Sequence, residues 1–175
     1  MYTITECTTI PAGFDSLFNE CLPILEAGTF DWRYMDNPAD NDAKRTKMRE
    51  AYEEYLELPN AKVIAWEKDG QLIHLAAGII NPDDESYILW AYALYGSDAD
   101  GSKGWLHDSS YITQTKDYIR DTMNLLGYKI SCHKNSSLYN YHMAKVGASE
   151  NYEVTEEESV NPQDVTVATI KYRYL

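Results

Sequence analysis

The chain has 175 residues, 44% of them hydrophobic and 25% charged, enough to bury one core and too apolar for an intrinsically disordered segment. Its 28 acidic residues against 15 basic ones give a net charge of -13, which repels phosphate backbones and anionic bilayers and excludes nucleic acid and membrane surfaces as partner classes. Cys7, Cys21 and Cys132 form neither a disulfide framework nor a zinc motif, and no basic leader or long apolar run marks secretion or a membrane span. A single domain over residues 1–175 in a reducing compartment is the expectation.

Tyr2 to Cys7 alternates Thr and Ile with other residues and reads as a short strand. Phe14 to Ala27 carries Phe14, Leu17, Phe18, Cys21, Leu22 and Leu25 at helical spacing, with Pro23 as a kink or break. Trp32 to Asp42 is rich in Asp, Asn and Pro and reads as a loop. A second helix is expected from Asp42 to Leu58, where Met48, Tyr52, Tyr55 and Leu56 share one stripe and Pro59 closes it.

From Ala61 the period changes to two. Lys62 to Lys68 and Gln71 to Ile80 flank Asp69-Gly70, a dipeptide that accepts the positive φ values of a type I′ hairpin turn. Ser86 to Leu94, after the turn at Asn81-Pro82, completes an antiparallel meander. A glycine-rich loop, Tyr95 to Asp108, leads to a helix from Ser110 to Leu126. Its inward positions are Ile112, Thr115, Ile119, Met123 and Leu126, Asp108 or Ser109 caps its start, and Gly127 takes its C-terminal turn. Tyr128 to Cys132 reads as a strand and Ser136 to Val146 as a helix ended by Gly147. Ala148 to Thr155 reads as a strand, followed by an acidic loop, and Val165 to Tyr174 as the last strand.

The histidines carry no metal motif, because His133 and His142 lack a third ligand at helical or turn spacing. His107-Asp108 reads as a surface pair, since adjacent side chains seldom aim at one point. The 15 tyrosines against 3 Phe exceed what one core needs. Two readings follow: tyrosines filling half-exposed strand positions, or a contact patch that includes Tyr92, Tyr95, Tyr139, Tyr141, Tyr172 and Tyr174.

The order β, α, α, β, β, β, α, β, α, β, β resembles that of the GNAT acetyltransferases. The best local match is Asn135 to Ala148, NSSLYNYHMAKVGA, against the family's N-x-x-A-x-x-x-Y-x-x-x-G-F. The resemblance implies an α/β (α+β) fold: a mixed, mostly antiparallel sheet with a parallel splayed pair and helices on both faces. It also implies an acyl-CoA site in the splay, with the helix after the fourth strand turning its N-terminus to the pyrophosphate. The candidate cofactor-binding residues are then Leu94 and Tyr95 at the strand end, Gly101, Lys103 and Gly104 in the loop, and Asn135 before the next helix.

This chain departs from the family pattern at both hallmarks. The phosphate loop, usually Gln/Arg-x-x-Gly-x-Gly/Ala, is YGSDADGSKGWLHD here, with Gly101 and Gly104 three apart and Asp98 where Arg or Gln is expected. The tyrosine that serves many members as general acid falls at Met143, which cannot donate a proton. Tyr139 and Tyr141 occupy other positions of that helix and read as packing residues. Within the family, Lys129 to Glu153 looks most similar to small acetyltransferase-like proteins of short-tailed bacteriophages. Together these features imply a protein-binding virion component, in the virion or host cytoplasm, with no cofactor and no catalytic residue. The alternative is a divergent acetyl-CoA-dependent N-acetyltransferase acting on a basic amine.

Overall fold

Alternation along strand β2, Ala61–Lys68, sends Val63 and Ala65 into one core and Ile64 and Trp66 into another. All four are buried, so the sheet is covered on both faces at this point. The computed structural model describes residues 1–24, 40–98, 100–134, 137–146, 149–160 and 166–175. Around β2 they form β1 Tyr2–Glu6, α1 Phe14–Ile24, α2 Asn41–Glu57, β3 Gln71–Ile80, β4 Tyr87–Tyr95, α3 Ser109–Asp117, β5 Gly127–His133, α4 Ser137–Met143, β6 Tyr152–Val160 and β7 Thr166–Tyr174. The element order is the expected one.

The strands make one seven-stranded sheet in the order β1-β2-β3-β4-β5-β7-β6. Every neighbouring pair is antiparallel except β4 and β5, which are parallel with α3 in the connection between them. The hairpin between β2 and β3 turns on Asp69 and Gly70, both at positive φ, 51° and 82°. Helices α1 and α2 cover one face through Phe14, Leu17, Phe18, Met48 and Tyr52. The other face packs Trp66, Ile73, Ile88, Trp90 and Ile130 against Ile119 and Trp105. A smaller cluster of Cys132, Val154, Ala168, Ile170 and Tyr172 receives Tyr139 and Met143 of α4.

Two expected elements take a different form. α3 stops at Asp117 and continues as a π-helical turn, Tyr118–Thr122, after which the chain leaves through Asn124 at φ 57°. The wider turn shifts the helical phase, so Thr115 and Ile119 still face inward but Leu125 is buried in place of Leu126, which is 45% exposed. Gly127 is the first residue of β5 instead of a helix terminator; a Cβ there would lie 1.8 Å from the Tyr172 carbonyl oxygen. The acidic stretch read as a loop belongs to β6, and β6 begins at Tyr152 instead of Ala148. An edge strand with one face in water accepts glutamates: Glu153 and Glu157 are exposed, and Glu156 meets Tyr139 and Lys134.

The exposed tyrosine patch is not formed. Tyr2, Tyr52, Tyr87 and Tyr172 are buried, and every other described tyrosine is half-buried. Tyr128 stacks on Tyr172 at 4.7 Å and Tyr92 packs against Tyr52 and Tyr55, so these rings hold elements together. Tyr34 lies outside the described residues.

Candidate functional site

The parallel ladder between β4 and β5 runs from Tyr87 opposite Gly127 to Trp90 opposite Ile130 and ends there. At the same level β4 carries one extra residue against β3, because Gly78 pairs with Trp90 and Ala77 with Tyr92. This bulge at Ala91 bends β4 away from β5. Beyond it β4 stays with β3 and β5 stays with β7, which opens a wedge between residues 91–95 and 131–133.

Aromatic side chains pack the β4 side of the wedge. His74 lies between Trp66 and Tyr95, with ring centroids 4.3 Å from each, and its Nδ1 is 2.8 Å from the Leu94 carbonyl oxygen. Burial pushes its pKa down to about 4, so the ring is neutral and donates from Nδ1. Both candidate residues at the strand end are thereby engaged. Leu94 is buried with its carbonyl on His74, and the Tyr95 carbonyl accepts from Lys103 Nζ at 2.7 Å and from Cys21 Sγ at 3.3 Å.

The loop after β4 is organised around carboxylates. Asp98 accepts the Trp105 backbone N–H at 3.2 Å and the Lys68 ammonium at 3.1 Å, and Asp100 accepts the Ser102 N–H at 2.9 Å. Asp108 caps α3 by accepting the Ser110 N–H at 2.8 Å and also receives the Tyr2 hydroxyl at 2.9 Å. These bonds, first that from Ser110, hold the Asp108 carboxyl below the usual carboxylate range. The N–H groups of Trp105 and Ser110 thus already have anionic partners.

The remaining candidates are placed as follows. Lys103 also reaches the Gly96 carbonyl at 3.3 Å, so its ammonium is turned toward the strand end. Gly101 sits in an open turn at φ 81°, and Gly104 begins a short 3-10 turn, Gly104–His107. Among the described residues of the candidate set, Tyr95 and Lys103 are the pair brought into contact; Asn135 lies outside the described residues. His107 is exposed and does not pair with Asp108.

Between this 3-10 turn and α4 lies an open cleft of about 610 Å³, lined among others by His107, Tyr141, Lys145, Ser149 and Tyr152. Lys145 Nζ donates to the Tyr141 hydroxyl at 2.6 Å and sits over its ring. Met143 packs on the β5–β7 cluster, and Tyr139 donates to the Glu156 carboxylate. Sequence reasoning did not reach Lys145, His74 or the Tyr2–Asp108 bond. Each depends on contacts between segments far apart in the chain, and no local pattern announces them.

A seven-stranded, mostly antiparallel sheet splayed at one parallel pair, with α3 running between its members, settles the architecture. The fold is that of the GNAT acetyltransferases. Over 98% of its length the chain is similar to 96% of an aminoglycoside 6'-acetyltransferase of type Ii, at 11% identity and a TM-score of 0.57. A variant of the spermidine N-acetyltransferase from Vibrio cholerae matches at 14% identity and a TM-score of 0.57, over 99% of this chain and 93% of that one. A Desulfovibrio desulfuricans protein assigned to the GNAT family of acetyltransferases matches at 9% identity and 0.56, over 99% and 98%. No protein-family model matches the sequence, and no curated protein does.

Proposed function

We propose that this chain is a GNAT-fold protein that acts by binding another protein and does not use acetyl-CoA. The observation that carries the reading is the pair of carboxylates, Asp98 and Asp108, accepting the Trp105 and Ser110 N–H groups where the fold would dock a pyrophosphate. An incoming diphosphate would have to displace two anions and then sit beside them, which removes the electrostatic gain of a helix N-terminus. Met143 in place of a phenol supports the same reading, because a thioether supplies no proton to a departing thiolate. The net charge of -13 favours a basic surface on the partner. The sequence resemblance of Lys129 to Glu153 to acetyltransferase-like proteins of short-tailed bacteriophages favours a virion protein as that partner.

A second reading is favoured by the cleft beside α4, where the Lys145 ammonium offers a cationic partner to a cofactor phosphate while the acidic molecule as a whole attracts a basic amine. On it the protein transfers an acetyl group from acetyl-CoA to a polycationic amine, the kind of acceptor named for the aminoglycoside and spermidine enzymes of the same fold. Steady-state release of coenzyme A from acetyl-CoA in the presence of spermidine or an aminoglycoside separates the two. The first reading expects no release above the uncatalysed rate, and amine-dependent turnover would establish the second.

A further inference from the structure

α4 is a short helix, and a histidine that shuns a second proton ties it to the sheet. His142 is 3% exposed, and its Nδ1 lies 2.6 Å from the hydroxyl of Tyr172 on β7, itself 2% exposed. The other ring nitrogen, Nε2, is buried without a partner. Tyr141 stands edge-on to the His142 ring at 5.2 Å, Tyr172 edge-on at 5.5 Å, and Tyr152 and Tyr128 pack on Tyr172. In either tautomer the neutral ring leaves one buried nitrogen unsatisfied; a protonated ring would leave a buried charge with an N–H pointing at nothing.

The charges around it make that state worse. From α4 and the residue that follows its last turn, Tyr141 and the Lys145 ammonium face the ring, and Lys145 adds repulsion to any positive charge. From β7 the facing group is Tyr172, and from β6 it is Tyr152, in contact with Tyr172. Glu156, the β6 carboxylate on this side, is already engaged by the Tyr139 hydroxyl at 3.2 Å and by Lys134 at 3.4 Å. From β5, Tyr128 and Cys132 complete the wall.

We propose that α4 is a pH-sensitive latch, which protonation of His142 releases from β7 while the rest of the sheet stays folded. A released α4 uncovers the β5–β7 cluster and one side of the cleft that Tyr141 and Lys145 line. Burial, with a smaller contribution from Lys145, sets the His142 pKa at about 4 in place, against 6.5 for a free ring. Linkage then raises the opening constant of α4 about thirtyfold between pH 8 and pH 5.

Amide hydrogen exchange on the full chain, corrected for the intrinsic rate at each pH, measures this directly. The expected result is an opening constant for residues 137–146 that rises about thirtyfold from pH 8 to pH 5 relative to β3, with His142→Gln flat across the same range. Gln keeps an acceptor for the Tyr172 hydroxyl and cannot titrate. A change under about threefold in the wild type, or α4 and β3 opening in step, overturns the proposal. Should His142→Gln leave α4 open at every pH, imidazole carbon NMR of the wild type decides. A midpoint well below 6.5 supports the latch, and one at that ordinary value overturns it.

Discussion

The hydroxyl of Tyr2 donates a hydrogen bond to Asp108 Oδ2 at 2.9 Å, joining the first strand to the residue that caps α3, 106 positions away. The same carboxylate therefore finishes a helix and ties down the N-terminal edge of the sheet. Asp108→Ala should destabilise the fold more than Tyr2→Phe does, because it removes the helix cap as well as the acceptor of the Tyr2 hydroxyl. Tyr2→Phe alone should cost about 1 kcal/mol. The double variant should fall short of the sum, because both changes remove one shared bond. Urea unfolding of the three variants checks this; full additivity would mean the bond contributes nothing.

His74 makes stability depend on pH. Its folded pKa, about 4, lies below the 6.5 of an unfolded chain, so at intermediate pH the unfolded state binds the extra proton. The contribution is whole above pH 6.5 and is lost as pH falls toward 4, by about 3 kcal/mol. Denaturant midpoints taken between pH 7.5 and 4.5 should fall in wild type. They should fall less in His74→Gln at its own lower baseline. An unchanged slope in the variant would assign the pH dependence to other groups.

Gly127 is fixed by its neighbour. With the Tyr172 carbonyl oxygen 1.8 Å from where a Cβ would sit, Gly127→Ala forces β5 away from β7 or breaks the register at Arg173. The expected loss is about 3 kcal/mol, at the upper end for overpacking. A variant within about 0.5 kcal/mol of wild type would show that these strands part easily.

Much of this architecture was legible from local pattern. The Asp69-Gly70 hairpin, the stripe of Met48 and Tyr52 on α2, and the Asp108 cap all lie within a few residues of the signals that announce them. The π-helical turn after Asp117 was not legible, because it arises where α3 must deliver the chain to β5 beside β4. Nor was the extent of β6, whose glutamates look like loop until β7 supplies a partner strand and water the other face. The tyrosine excess had two readings in sequence; in the structure most described tyrosines are half-buried, and Tyr128, Tyr172, Tyr92, Tyr52 and Tyr55 pack on one another across elements. Of the candidate site, the carboxylates were visible, but which N–H groups they occupy required the fold.

Tyr172 is the test of that packing role. It is buried between Tyr128, Tyr152 and His142, so Tyr172→Ala should cost about 3–5 kcal/mol and leave a poorly folded chain at 37 °C. Thermal unfolding followed by circular dichroism reads the effect. A loss below about 1 kcal/mol would return this ring to the pool of contact residues.

If, as proposed above, the carboxylates of Asp98 and Asp108 stand where the fold would dock a pyrophosphate, acetyl-CoA does not bind. Isothermal titration of the wild-type protein with acetyl-CoA at neutral pH and low salt tests it most directly. The expected result is no saturable heat, that is, a Kd on the order of 1 mM or weaker. A stoichiometric isotherm with a Kd near 10 μM, about 7 kcal/mol of binding free energy, would contradict it.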